Sequence, residues 1–331
     1  MKKKNTIGIL GTGAWGTALS CILSKKNDKV IIWSKEKETA QQINNYKINK
    51  IYLPNTKIPK NVMATNNLED LRLCKFIFIC VPSQFIREII IKFKDFYNKD
   101  TIFINCSKGI ENKSNLLISD VVEKILPKSK IAILSGPSFA IEVAKKKPTA
   151  VTIASKNKIY AKKLALLINS KNFRCYYTND IIGVQFGGVI KNILAIASGI
   201  IESKKLGLNA KAALITRGLA EMKRIGLAYG AKESTFYGLS GLGDLMLTCN
   251  SKLSRNFATG LLIGKGKKIN EISKLKTISE GVINSKTIFK LSKKKKIEMP
   301  VCEAVYKILY KKKKIQITIE KILSRDIKKE N

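Results

Sequence analysis

The chain contains no histidine. That absence removes Ser-His-Asp and Cys-His nucleophilic catalysis, imidazole general bases and His-ligated metals. Any proton transfer falls instead to Lys, Asp, Glu, Tyr, Cys or water. Cysteine numbers seven and forms no C-x-x-C pair, a pattern that suits buried thiols in a reducing compartment rather than a disulfide framework or zinc site. No uninterrupted apolar run reaches the roughly 18 residues of a membrane span, so none is expected. Acids are scarce, 24 Asp+Glu against 62 Lys+Arg, a formal charge of +38. Such a balance suits a nucleic-acid or anionic-membrane binder. It equally suits a drift toward Lys, Ile and Asn that coats a globular protein with solvated ammonium groups. The clusters Lys2–Lys4, Lys145–Lys147, Lys293–Lys296 and Lys311–Lys314 are short, dispersed and free of interleaved aromatics that would stack on bases. The expectation is therefore no specific nucleic-acid partner, only a field that favours anionic substrates.

With 331 residues the chain can hold two domains, each with its own core. The first half alternates short apolar runs (Thr6–Leu10, Val30–Trp33, Phe76–Val81, Thr101–Asn105, Ile131–Ser135, Ala150–Ala154) with helical patterns (Trp15–Lys26, Phe85–Phe96, Asn115–Leu126, Tyr160–Ile168). Several runs are apolar at every position, as buried parallel strands must be. This alternation predicts an α/β domain with a Rossmann-type doubly wound sheet over residues 1–180. From Asp180 onward the strand pattern stops, and long helical segments such as Ile182–Glu202 and Ala210–Tyr229 predict an all-α domain over 181–331.

The stretch Gly11-Thr12-Gly13-Ala14-Trp15-Gly16 is a G-x-G-x-x-G turn. A basic start followed by an apolar run also resembles a secretory signal. The context decides between them, because Gly11 follows a strand, Gly16 opens a helix with apolar face Trp15, Ala18, Leu19, Ile22 and Leu23, and a second strand ends at Trp33. That is the setting of a dinucleotide site, with Gly11 for the tight turn, Gly13 for approach of the pyrophosphate and Gly16 for helix–strand packing. Beyond the second strand, Lys35 precedes Glu36. Lys35 can pair with a 2′-phosphate, which would favour NADPH over NADH, or be an ordinary solvated lysine.

Further stretches carry a resemblance. They are Asn105-Cys106-Ser107-Lys108-Gly109-Ile110, Leu134-Ser135-Gly136-Pro137-Ser138-Phe139-Ala140, Gly188-Val189-Ile190-Lys191-Asn192-Ile193-Leu194-Ala195 and Gly238-Leu239-Ser240-Gly241-Leu242-Gly243-Asp244-Leu245, followed by Ser254-Arg255-Asn256 and Ser279-Glu280-Gly281-Val282. Together with the glycine turn, these are similar to the bacterial NAD(P)-dependent glycerol-3-phosphate dehydrogenase family across nearly the whole chain. The resemblance implies reversible hydride transfer between NADPH or NADH and dihydroxyacetone phosphate. It further implies supply of sn-glycerol 3-phosphate for phospholipid synthesis and a cytoplasmic location; a homodimer is a permitted assembly.

The resemblance also implies site residues. Lys191 is the proton donor and acceptor, and Lys108, Gly136, Ser138, Asp244, Ser254, Arg255 and Asn256 join it as substrate contacts. Gly11, Gly13, Ala14, Trp15, Gly16, Lys35, Lys108, Ala140, Arg255, Ile278 and Glu280 contact the cofactor; no metal is implied. Local chemistry supports Lys191 separately. It lies in an apolar helix, with Gly187, Gly188 and Ala195 nearby to leave room for a ligand, and desolvation would make its ammonium a usable acid. The bland alternatives are a snorkelling lysine for Lys191, a strand-to-helix turn capped by Ser138, and a helix N-cap for Asp244. Cys249 lacks a His base and reads as packing. The chain departs from the family after Asn256, where Phe257-Ala258-Thr259 replaces further arginines. The rival readings are another dehydrogenase of similar plan, such as a ketopantoate reductase or a 6-phosphogluconate-type enzyme, and a basic nucleotide-fold protein that binds nucleic acid.

Overall fold

In a computed structural model, residues 6–273 and 279–327 are described. The chain divides into two compact units, Met1–Gln185 and Phe186–Asn331.

Among its described residues the first unit is built on ten strands: β1 (Thr6–Leu10), β2 (Lys29–Trp33), β3 (Ile48–Asn49), β4 (Leu53–Lys57), β5 (Val62–Thr65), β6 (Phe76–Ile79), β7 (Ile102–Asn105), β8 (Lys130–Ser135), β9 (Thr149–Ala154) and β10 (Phe173–Thr178). Eight form one sheet in the order β10-β9-β8-β7-β6-β1-β2-β5, while β3 and β4 make a separate antiparallel pair. The six strands from β5 to β8 run parallel. The β8–β9 pairing is antiparallel, so β9 and β10, parallel to each other, run against the rest. Period-two alternation sorts the side chains into two cores. Ile7, Ile9, Phe76, Phe78, Ile102, Ile104, Ala132 and Leu134 share one face with Ala18, Leu19, Ile22 and Leu23 of the helix Ala14–Leu23. Leu10, Ile77, Ile79, Phe103, Ile131 and Ile133 share the other with Ile86, Ile89, Ile90 and Phe93 of the helix Ile86–Phe93. Helices on both faces explain why strand residues of both parities are apolar. Each fully buried Ile or Phe contributes about 1.5–3 kcal/mol.

Successive strands run outward from β1 through β2 to β5, then resume on its other side at β6. The loops after β1 and β6 therefore diverge at a topological switch point, where open α/β sheets bind ligands. The sequence pattern does not disclose the helix Lys37–Tyr46, the β3–β4 pair, β5 or β10. The first of these is largely polar, KETAQQINNY, with only Thr39, Ala40 and Ile43 buried, and β10 alternates as an edge strand.

Among the described residues the second unit is helical. The helix Ile181–Ser203 is long and apolar enough to cross a membrane, yet 94% of its apolar 18-residue stretch is buried inside the protein. It is a core helix, with Phe186, Val189, Ile190, Ile193 and Leu194 fully buried. Neighbouring segments approach it at glycines. A Cβ on Gly187 would strike the carbonyl of Ser240, one on Gly260 the carbonyl of Ile196, and one on Gly281 the carbonyl of Asn192. The gap expected beside Lys191 at Gly187 is thus filled by backbone, not held open for a ligand.

Candidate functional site

In the first unit the chain leaves β1 through Gly11-Thr12-Gly13 and enters the helix Ala14–Leu23. Gly11 sits at φ +114°, a conformation that favours glycine. A Cβ on Gly16 would strike the Gly11 carbonyl, whereas one on Gly13 would meet nothing within 4 Å. Gly13 thus leaves open the floor that a pyrophosphate approaches. It is also the N-cap residue, with neither a side-chain cap nor an acid in the first turn, so the helix end is suited to an anion. These residues fit the phosphates of a dinucleotide. Trp15 and Ala140 are half-buried against the core, and the short helix Ala140–Ala144 packs on Ala14–Leu23.

The loop is braced by side chains to which the glycine spacing does not point. Asn49, fully buried, donates Nδ2 to the Thr12 carbonyl at 2.7 Å and to Thr17 Oγ1 at 2.9 Å. Thr12 Oγ1 and Ser34 Oγ are hydrogen-bonded at 2.9 Å, and Gly11 N donates to the Trp33 carbonyl at 2.9 Å. No sequence signal links Asn49 to Thr12 across 37 positions; only folding brings them together. Beyond Ser34, Lys35 is exposed. Its charge helps, after Lys92, to hold the Glu88 carboxyl below its ordinary value.

Lys108, Gly136 and Ser138 meet at one atom. The Gly136 carbonyl accepts from Lys108 Nζ at 3.2 Å and from Ser138 Oγ at 2.9 Å. Gly136 sits at φ +135°, and a Cβ there would press on Val151. Ser138 does not cap the following helix, whose N-cap residue is Phe139.

In the helical unit Lys191 is buried and donates to Asp244 Oδ1 at 2.5 Å and to Thr248 Oγ1 at 2.8 Å. Thr248 Oγ1 donates its hydrogen bond to the Asp244 backbone carbonyl at 2.6 Å, so its oxygen presents a lone pair to the ammonium. A π-helical turn at Leu239–Gly243 delivers Asp244 as the first residue of the helix Asp244–Cys249. Its carboxylate faces Lys191 instead of capping. The Asp244 carboxylate beside Lys191 offsets the desolvation that burial imposes on its ammonium. Thr248 stands one turn from Asp244 on the same helix, a spacing that by itself marks no lysine partner. Burial pushes the Cys249 thiol up to about 12, and the residue is packing.

Ser254 caps the helix Arg255–Gly264 by accepting from Phe257 N at 3.2 Å, and Arg255 is exposed at its first turn. Asn256 is a strut: its Oδ1 accepts from Gly281 N and its Nδ2 donates to Asn192 Oδ1, both at 2.9 Å. Much of the amide expected to face a phosphate is therefore engaged inside the unit. Glu280 opens the helix Glu280–Lys294 and is half-buried. Ile278 lies outside the described residues. Among the described residues, no cluster of three or more Cys, Asp and Glu could hold a metal ion.

Known proteins resemble the chain over nearly its whole length. Residues 6–161 match the family model for the NAD-dependent glycerol-3-phosphate dehydrogenase N-terminus, and residues 180–320 that for its C-terminus. A glycerol-3-phosphate dehydrogenase [NAD(P)+] of Citrifermentans bemidjiense is 40% identical over 329 residues, covering 98% of each chain. Its counterpart in Zymomonas mobilis is 43% identical over 325 residues, covering 98% of this chain and 94% of that one. The crystal structure of glycerol-3-phosphate dehydrogenase from Coxiella burnetii superposes with a TM-score of 0.93 at 40% identity, covering 97% of this chain and 99% of that one.

Proposed function

Because this chain belongs to the NAD-dependent glycerol-3-phosphate dehydrogenase family, we propose how its residues divide the work of interconverting dihydroxyacetone phosphate and sn-glycerol 3-phosphate. The observation that carries the reading is the buried Lys191–Asp244–Thr248 constellation. The residues Gly11, Gly13 and Gly16, with the first turn of the helix Ala14–Leu23, would hold the phosphates of NAD(P)H, which supplies the hydride when bound. Lys191 gives a proton to the C2 oxygen as negative charge develops there, and takes one from the hydroxyl in the reverse direction. Asp244 and Thr248 fix the direction of its ammonium. Lys108, half-buried at the end of β7, adds positive charge that polarises the carbonyl. Arg255, at a capped helix N-terminus, takes the substrate phosphate through its guanidinium fork.

The test is consumption of NADPH and of NADH by purified protein with dihydroxyacetone phosphate. Arg255→Ala should raise KM for the phosphorylated substrate by the equivalent of about 2–5 kcal/mol. Equal weakening toward unphosphorylated dihydroxyacetone would remove the phosphate role. Preference for NADPH is assigned to Lys35, and Lys35→Glu should shift the kcat/KM ratio toward NADH; an unchanged ratio makes Lys35 a surface charge. In the same reading the product feeds phospholipid synthesis and the enzyme works in the cytoplasm as a homodimer, an assembly that sedimentation velocity reads directly.

A further inference from the structure

Lys108 lies in a loop with no helix or strand of its own, between β7 and the helix Ile118–Ile125. A lysine that must meet a carbonyl within a fraction of an ångström needs that loop held still. Just before Lys108, Asn105 and Ser107 exchange hydrogen bonds at 3.1 Å, and Ser107 Oγ donates to the Val81 carbonyl. Just after it, the anchors come from the residues that follow Val81. Gln84 donates Nε2 to the Ile110 carbonyl at 2.8 Å and accepts from Asn112 N at 3.0 Å. One turn further along, Arg87 grips Glu111 with both arms, Nε to Oε1 at 2.7 Å and Nη2 to Oε2 at 2.8 Å.

Glu111 is only 4% exposed. Ser114 Oγ donates to its Oε2 at 2.5 Å, and Glu111 N and Asn115 N close the loop onto the Leu116 and Glu111 carbonyls. A bidentate guanidinium–carboxylate pair fixes orientation as well as distance, which a single hydrogen bond does not. The guanidinium of Arg87 also holds the Glu111 carboxyl below its ordinary value, so the pair stays charged across neutral pH.

We propose that Gln84, Arg87 and Glu111 are positioning residues for Lys108, a two-point clamp that fixes where its ammonium stands during carbonyl reduction. The inference deepens the role given to Lys108 above and rests on it. The experiment compares Glu111→Gln, Gln84→Ala and Lys108→Ala, each alone and with the first two combined with the third. Turnover with dihydroxyacetone phosphate and thermal unfolding are measured on all. Glu111→Gln keeps the shape but loses the charge pair, and Gln84→Ala removes only neutral hydrogen bonds, to Ser83, Ile110 and Asn112, so one carries the comparison if the other does not fold.

The clamp predicts that each variant lowers kcat more than it raises KM, by up to about a hundredfold. It predicts no further loss when either is added to Lys108→Ala. Losses that multiply in the Lys108→Ala background, or folded clamp variants at full turnover, overturn the proposal. A Lys108→Ala enzyme with unchanged turnover instead overturns the role of Lys108 itself, and the clamp with it.

Discussion

Lys191 shows how one residue's chemistry depends on its partners. Removing one member of a buried ion pair strands the other, typically at a cost of 3–5 kcal/mol. Lys191→Ala should therefore lower turnover by roughly 10²–10⁴-fold and also destabilise the helical unit, because the buried Asp244 carboxylate would lose the ammonium it faces. Lys191→Arg separates the two effects: it keeps a cation against Asp244 but does not release a proton near neutrality. A folded Lys191→Arg enzyme should stay nearly inactive. If it retains more than about a tenth of wild-type turnover, the proton comes from elsewhere. Of the residues in this constellation, Lys191 and Asp244 were legible because they sit in recognisable stretches. Thr248 was not, because a threonine on an apolar helix looks the same whether or not a lysine reaches it.

At the scale of elements, Glu221 joins two helices. It is buried on the helix Gly207–Ala228 and accepts Val301 N at 2.6 Å and Cys302 N at 3.0 Å, capping the helix Pro300–Lys311 from outside it. Burial raises its carboxyl from 4.5 to about 7; the two backbone donors, the Cys302 thiol and the charge of Arg224 pull the other way and lose. The folded state thus binds this proton more tightly than the unfolded chain does. Its contribution to stability is full below the unfolded value and is lost as pH rises through about 7. The span corresponds to about 3 kcal/mol. Chemical denaturation of wild type and Glu221→Gln across this range should show wild type losing stability relative to the variant as pH rises. Parallel curves would mean that the backbone donors keep the carboxylate charged throughout. Helix Lys37–Tyr46 marks the opposite limit of legibility, since with so few buried positions its periodicity carries little signal.

For the whole molecule, the formal charge of +38 is a field rather than a site. It should raise encounter rates with anionic substrates and be screened once the Debye length falls to about 10 Å near 0.1 M salt. kcat/KM for dihydroxyacetone phosphate should fall as salt is raised through that range while kcat holds. A flat profile would show that the ammonium groups are too dispersed to steer. The sequence by itself determined the two-part α/β and helical plan, because burial on both faces of a parallel sheet demands unbroken apolar strands. It also determined the glycine turn, where backbone geometry restricts residue choice locally. Tertiary structure alone decided the antiparallel turn of β9 and β10, the bracing of the glycine loop by Asn49, and the use of Asn256 as a strut. It likewise decided that Ser240 fills the space beside Gly187 and that Arg87 seizes Glu111. Each of those contacts joins residues far apart in the chain. A polar side chain carries no local mark of the partner that folding brings to it.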